Sequence, residues 1–278
     1  LAMIINPEME AANEITHVFS LPAALGVNSF AHGQAQMIRF KIPENNRLDG
    51  QKVMTMARNI SGDVLVCAVE REKQVFIPDG NFELHQGDVV SFIATSKAAK
   101  EFFERIGMPN KPVHNTMIIG GGKAAYYLGK MLIDMGIEVK IIEIDRKRCR
   151  ELSELLPQAT IINGDGTDEE LLNEEEIAYV DSLVPLTGID EENVLLALHA
   201  REVSDAKVIT KVNRNAFHNL IDKLDLGSVI YPKYITAEAI VAYVRAKQAS
   251  VDSSNVETIY HMFDSRAEAI EFNVSAKS

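Results

Sequence analysis

The sequence predicts an α/β protein: a Rossmann-like doubly wound parallel sheet joined to a small α+β subdomain, in a tandem arrangement truncated at both ends. Three observations lead there. Strand and helix patterns alternate from Thr116 to Ala249, a glycine-rich turn follows the first strand of that series, and segments near the two ends of the chain align with each other.

The alignment comes first in the chain. Ile5-Asn6-Pro7-Glu8-Met9-Glu10-Ala11-Ala12-Asn13-Glu14-Ile15 overlies Ile230 to Ile240 at an offset of 230 − 5 = 225, with isoleucine, proline, alanine and isoleucine coinciding. Ala35 to Ile42 overlies Ala267 to Val274 at 267 − 35 = 232. A loop of about seven extra residues in the second copy reconciles the two offsets. The chain is therefore expected to be a piece of a longer tandem protein. Within it, 35–107 reads as short strands and turns. Strands are predicted at Met37 to Ile42, Val64 to Glu70, Val75 to Ile77 and Val89 to Ala94, with Pro78-Asp79-Gly80 and Gln86-Gly87-Asp88 as turns. A helix from Ser96 to Ile106 closes this subdomain, with Ser96 as its N-cap and Gly107 as its stop. Residues 108–114 form a linker, because Pro109 and Pro112 cannot continue a helix.

Across 115–249 the texture changes. Strands are predicted at Thr116 to Ile119, Glu138 to Ile142, Thr160 to Ile162, Ser182 to Leu186, Lys207 to Val212 and Val229 to Tyr231, separated by helical patterns. Pro185 falls in the fourth of them, where it should remove a ladder hydrogen bond from a central strand. A helix from Thr236 to Ala249, apolar at Ala237, Ile240, Val241 and Val244, covers the sheet or a neighbour.

Composition narrows the function classes. The 278 residues carry a net charge of −12 with no basic stripe, which argues against a nucleic-acid surface. No apolar run approaches the roughly 20 residues that span a bilayer, so any membrane role should be peripheral. Cys67 and Cys149 lie 149 − 67 = 82 residues apart with no CxxC, so neither a disulfide framework nor a zinc site is supported.

The chemistry concentrates at the first βα turn, Gly120-Gly121-Gly122-Lys123-Ala124-Ala125. This is G-x-G-x-x-A after a strand: Gly120 permits the tight turn, Gly122 lets backbone approach a phosphate, and Ala125 packs helix on strand. The helix that follows presents free N–H groups and about half a positive charge to an anion. Glu143 ends the next strand 143 − 122 = 21 residues later, close to the roughly 20 expected of a ribose-binding acid. A carboxylate there favours NAD or an adenine nucleotide over NADP, although Arg146, Lys147 and Arg148 nearby could accommodate a 2′-phosphate. Further candidate contacts lie at other strand ends: Asp145 after the second strand, Asp165 and Gly166 after the third, Thr187 after the fourth and Lys211 on the fifth. Asp165 could accept from adenine or ribose, while Thr187 and Lys211 could donate to phosphate. Each also has a plain reading as turn, cap or solvated charge.

In this order, Gly-Gly-Gly-Lys, Ile-Ile-Glu-Ile-Asp, Ile-Asn-Gly-Asp-Gly-Thr-Asp, Leu-Thr-Gly and Lys-Val-Asn-Arg resemble the regulator of potassium conductance family, and the resemblance runs along essentially the whole chain. It implies that 1–34 is the tail of one nucleotide-binding subdomain, 35–107 the C-terminal regulatory subdomain after it, 115–249 a second nucleotide-binding subdomain and 250–278 the start of another C-terminal subdomain. It further implies a cytosolic regulatory subunit, peripheral at the inner face of the cell membrane, forming a homo-oligomer (a dimer or a tetrameric ring) with an integral-membrane potassium transporter. The implied ligands are NAD or NADH, with ATP or ADP as alternatives. Lys123 matches the family's basic phosphate contact, Glu143 its ribose acid and Lys211 its basic residue near the phosphates. Ala125 departs from the usual glycine and Lys123 from a frequent arginine.

The competing reading is an NAD-dependent oxidoreductase, since the fold does not determine the chemistry. The histidines, His17, His32, His85, His114, His199, His218 and His261, show no catalytic or metal spacing. Asn163-Gly164-Asp165-Gly166-Thr167 is phosphatase-like except that Asn163 stands where the nucleophilic aspartate would be, and Lys123 precedes alanine, not the Ser or Thr of a P-loop. A gating module, not a catalyst, is expected.

Overall fold

The computed structural model describes residues 5–30, 33–60, 63–108, 111–214, 221, 224, 226–237, 240–241, 244, 256–263 and 266–272. His32, Pro109, His218 and much of the 236–249 helix lie outside these. The chain divides into two compact units, one of residues 1–4, 23–111 and 236–278, the other of 5–22 and 112–235.

In the first unit, β1 (Gly26–Phe30), β2 (Ala35–Lys41), β3 (Leu65–Arg71), β4 (Gln74–Phe76) and β5 (Val89–Ala94) form an antiparallel sheet in the order β1-β2-β5-β3-β4. α2 (Val53–Asn59) and β1 have no counterpart in the sequence reading. α3 (Ser96–Arg105) sets Phe102 and Phe103 edge-on or tilted against Phe40 and Phe92, all four essentially buried. Its N-cap is Thr95, not Ser96: Thr95 has extended backbone and accepts from Ala98 N–H, whereas Ser96 is already helical. A hairpin of β12 (Val256–Met262) and β13 (Ala267–Phe272) belongs to the same unit, where Tyr260 donates to Ser29 O at 2.6 Å.

The second unit holds a six-stranded, all-parallel sheet of β6 (Asn115–Ile119), β7 (Glu138–Glu143), β8 (Thr160–Asn163), β9 (Ser182–Pro185), β10 (Lys207–Lys211) and β11 (Ser228–Ile230), ordered β11-β10-β9-β6-β7-β8. Alternate side chains supply two cores. Ile118, Ile141, Val184 and Ile209 pack with Leu128 and Leu132 of α4 (Lys123–Asp134) and Leu152 of α5 (Arg146–Leu155). Met117, Ile119, Ile142 and Leu183 pack on the other face with Leu172 of α6 (Glu169–Glu174) and Leu196 and Ala200 of α7 (Asp190–Val203). Helices on both faces and a reversal of strand order between β6 and β9 make this a doubly wound sheet.

Two features amend the sequence reading. Pro185 does not interrupt its strand: it is the last residue of β9, opposite Ile119, and Leu186 N–H continues the pairing to Ile119 O at 2.7 Å. α1 (Pro7–Ser20) packs Ala11, Ala12, Ile15, Val18 and Phe19 into the α4-side core of the parallel sheet. Among the described residues the aligned segments share two features. Pro7 and Pro232 each begin a helical stretch, as proline's fixed φ and missing N–H allow. β2 and β13 are each the second strand of an antiparallel hairpin.

Candidate nucleotide-binding site

The carboxyl ends of β6, β7, β9 and β10 meet around the glycine turn. Gly120 has φ +97°, and a Cβ there would lie 3.1 Å from the backbone of Leu186 and Thr187, so glycine is needed both for conformation and for the approach of the β9 end. At Gly121 a Cβ would fall 2.6 Å from Leu152 Cδ1 and 3.0 Å from Glu143 Oε2. Gly122 is the N-cap of α4, makes no side-chain cap, and has open space where a Cβ would stand. The first N–H groups of α4 are therefore presented without a side-chain acceptor beside a gap that a phosphate could enter. Lys123 is exposed at the first helical position, Ala124 is buried, and Ala125 lies fully buried in the core.

Glu143 ends β7 and is fastened to the turn. Its Oε2 accepts from Gly121 N–H at 2.6 Å and its Oε1 from Asp145 N–H at 2.7 Å. Each oxygen keeps a second lone pair, so two ribose hydroxyls can still be accepted. Asp145 is the N-cap of α5: its Oδ1 accepts from Lys147 N–H at 2.7 Å and Arg148 N–H at 3.2 Å. Arg148 donates from Nε to Gly121 O at 2.7 Å and from Nη1 to Glu151 at 3.1 Å. The guanidinium thus holds the glycine turn, and with Glu143 and Asp145 alongside, this corner suits a ribose hydroxyl better than a 2′-phosphate.

The loop after β8 is tied to the same corner. Asn163 Nδ2 donates to Glu143 O and Ile144 O, both at 3.0 Å. Asp165 accepts from Thr167 N–H at 2.9 Å and Thr167 Oγ1 at 2.7 Å, bonds that hold its carboxyl below its ordinary range, so its structural role is an Asx turn. A Cβ on Gly166 would strike Ile119 Cγ2 at 2.3 Å, which explains a glycine there by close packing.

On the other side, the Thr187 hydroxyl is engaged with Ile189 O and N–H at 3.1 and 3.2 Å, and Lys211 donates from Nζ to Leu186 O at 3.0 Å. Burial lowers the pKa of Lys211, and the charges of Asp190 and Glu8 oppose that shift. The contacts form one continuous chain from Glu143 through Gly121, Gly120 and Leu186 to Lys211. Two buried residues that the sequence reading left out complete it. Asn193 bonds Thr187 and Lys211, and Asp190 accepts from Asn213 N–H and Arg214 N–H, each at 2.8 Å. No local spacing announces these bonds, because each joins residues on different elements.

The His114–Asp181 contact, 3.2 Å, lies at the opposite, amino-terminal ends of β6 and β9. A cavity of about 440 Å³ at that end, lined by Glu138, Lys140, Glu175 and Tyr179, contains none of the expected nucleotide contacts. No group of three or more His, Cys, Asp or Glu able to hold a metal occurs among the described residues, both cysteines are free thiols, and no described helix is long and apolar enough to cross a membrane.

Strand order, glycine turn and acid together define a Rossmann-like domain, and the chain also holds an antiparallel-sheet subdomain. Residues 116–232 match the TrkA-N domain and residues 37–107 the TrkA-C domain, so the chain carries one domain of each kind. It is 31% identical over 269 residues to the Trk system potassium uptake protein TrkA of Haemophilus influenzae, covering 96% of this chain and 57% of that protein. It is 29% identical over 277 residues to TrkA homolog 2 of Methanosarcina mazei, covering 99% of this chain and 60% of that one. The chain thus spans less than two thirds of the length of these relatives. Among solved structures, the GsuK RCK domain superposes with a TM-score of 0.61 at 14% identity, over 93% of this chain and 55% of that one. The GsuK channel bound to NAD gives 0.59 at 14%, over 91% and 45%. At that identity these two structures report the fold.

Proposed function

We propose that the chain is the nucleotide-sensing part of a regulatory subunit of a Trk-type potassium uptake system, and that it binds NAD or NADH at the carboxyl ends of β6 and β7 as a signal. The observation that carries this reading is Glu143, a carboxylate held by the Gly121 amide at 2.6 Å beside the uncapped start of α4. The residues fit the ligand: Gly122 leaves room for a pyrophosphate, α4 offers its N–H groups, Glu143 takes the ribose hydroxyls, and Lys211 supplies positive charge on the far side. NAD supplies two phosphates and two riboses to such a crevice. The names of the relatives and the NAD of the GsuK channel point the same way. ATP or ADP would use the same phosphate and ribose contacts.

Binding works on conformation in this reading. A ligand shifts a two-state equilibrium only through its differential affinity, and moving from 1:99 to 99:1 takes about 5.5 kcal/mol. The bound nucleotide favours one assembly geometry of a homo-oligomer, a dimer or a tetrameric ring, and an integral-membrane potassium transporter responds at the inner membrane face. The chain itself is not an enzyme.

A thermal-unfolding panel with NADH, NAD, ATP and ADP tests the reading. At about 100 times its dissociation constant the true ligand should stabilise the protein by about 2.7 kcal/mol. Glu143→Ala should weaken binding of that ligand about tenfold or more, the loss expected when hydrogen bonds to a charged acceptor are removed. Unchanged affinity in that variant would remove the ribose assignment, and steady hydride transfer to a small substrate would favour the oxidoreductase instead.

A further inference from the structure

We propose that Asn193 is a positioning residue for the second half of a dinucleotide; this rests on the nucleotide reading above. Strand order supplies the geometry. β7 lies on one side of β6 and β9 and β10 on the other, so a ligand with its ribose on Glu143 and its pyrophosphate at the β6 turn must extend its remaining half over the ends of β9 and β10.

Asn193 and Lys211 join those two ends by side-chain hydrogen bonds. Asn193, in the first turn of α7 and fully buried, accepts from Thr187 N–H at 2.9 Å and donates from Nδ2 to Lys211 O at 3.0 Å and Thr187 O at 3.3 Å. Lys211 returns the link by donating from Nζ to Leu186 O at 3.0 Å. The Leu186–Thr187 backbone is in turn the surface against which Gly120 packs. The Asn193 amide therefore fixes the Thr187 backbone against the Lys211 backbone, from which the ammonium reaches back to Leu186 beside the glycine turn. It touches nothing on the Glu143 side, where adenosine sits.

The consequence is a split between ligands. AMP ends at the first phosphate and relies on Glu143 and the turn; NADH also needs the β9–β10 side. Calorimetric titration of the full chain with AMP and with NADH, wild type against Asn193→Ala, reads the split. Asn193→Ala should bind AMP within about twofold of wild type and NADH about tenfold or more weaker, the effect of losing a buried hydrogen-bond junction. Equal losses for both ligands mean a merely structural role and overturn the proposal, as does no loss for either. Wild type that binds neither ligand fails the nucleotide reading itself, and this inference falls with it. If Asn193→Ala does not fold, amide exchange on wild type decides. The Thr187 amide should be protected without ligand, more protected with NADH and unchanged by AMP, whereas fast exchange in the unliganded protein overturns the proposal.

Discussion

Lys207 shows how a single half-buried side chain sets a pH dependence. At the start of β10, burial first and the nearby charge of Arg201 second lower its pKa from 10.5 to about 7. Between those values the unfolded chain binds a proton that the folded chain does not, so stability should rise as pH increases through that window. Below about pH 7 both states are protonated and the full penalty of the buried ammonium remains. Lys207→Met should flatten this slope and raise stability at neutral pH, as urea unfolding from pH 6 to 10 would measure; an unchanged slope would place the titration elsewhere. The glycine turn and Glu143 were legible as residues because their roles are local, a positive φ and a strand end. Asp145 and Asp165 were ambiguous for the same reason. A short acid beside a helix or turn start can cap or bind, and in the structure Oδ1 of each accepts from nearby N–H groups.

Elements were legible where periodicity and a stop signal coincided. The six strands of the parallel sheet appear within a residue of their expected bounds, since short apolar runs between helical patterns have few alternatives. β1 and α2 were not legible: Gly26–Phe30 has only Val27 and Phe30 as large apolar residues, and Val53–Asn59 is two turns without a side-chain cap. The destination of α1 could not be read from its sequence, because an amphipathic helix does not name the face it covers. Its packing makes it part of the parallel-sheet unit's core. Ile15→Ala, at a position 1% exposed, should therefore destabilise that unit by about 2–5 kcal/mol in denaturant unfolding. A change below about 0.5 kcal/mol would mean that α1 is not docked there.

For the whole molecule, the ordered motifs carried the family resemblance and the repeat carried the expectation of a tandem arrangement. Composition alone said only that the chain is acidic and globular. The TrkA-C and TrkA-N domains follow one another at 37–107 and 116–232, and the repeated segments form helix starts at Pro7 and Pro232 and second hairpin strands at β2 and β13. What the sequence could not supply was the cross-strand wiring of the crevice. The Asn193 junction and the Arg148 clamp exist only once distant strands are brought side by side. The most direct measurement is a crystal structure of the chain grown with NADH. The account predicts ribose hydroxyls on the Glu143 carboxylate, the pyrophosphate over Gly122 at the start of α4, and the second half of the ligand over Thr187 and Lys211. Density for the nucleotide at the amino-terminal edge of the sheet, or an empty crevice at saturating NADH, would contradict it.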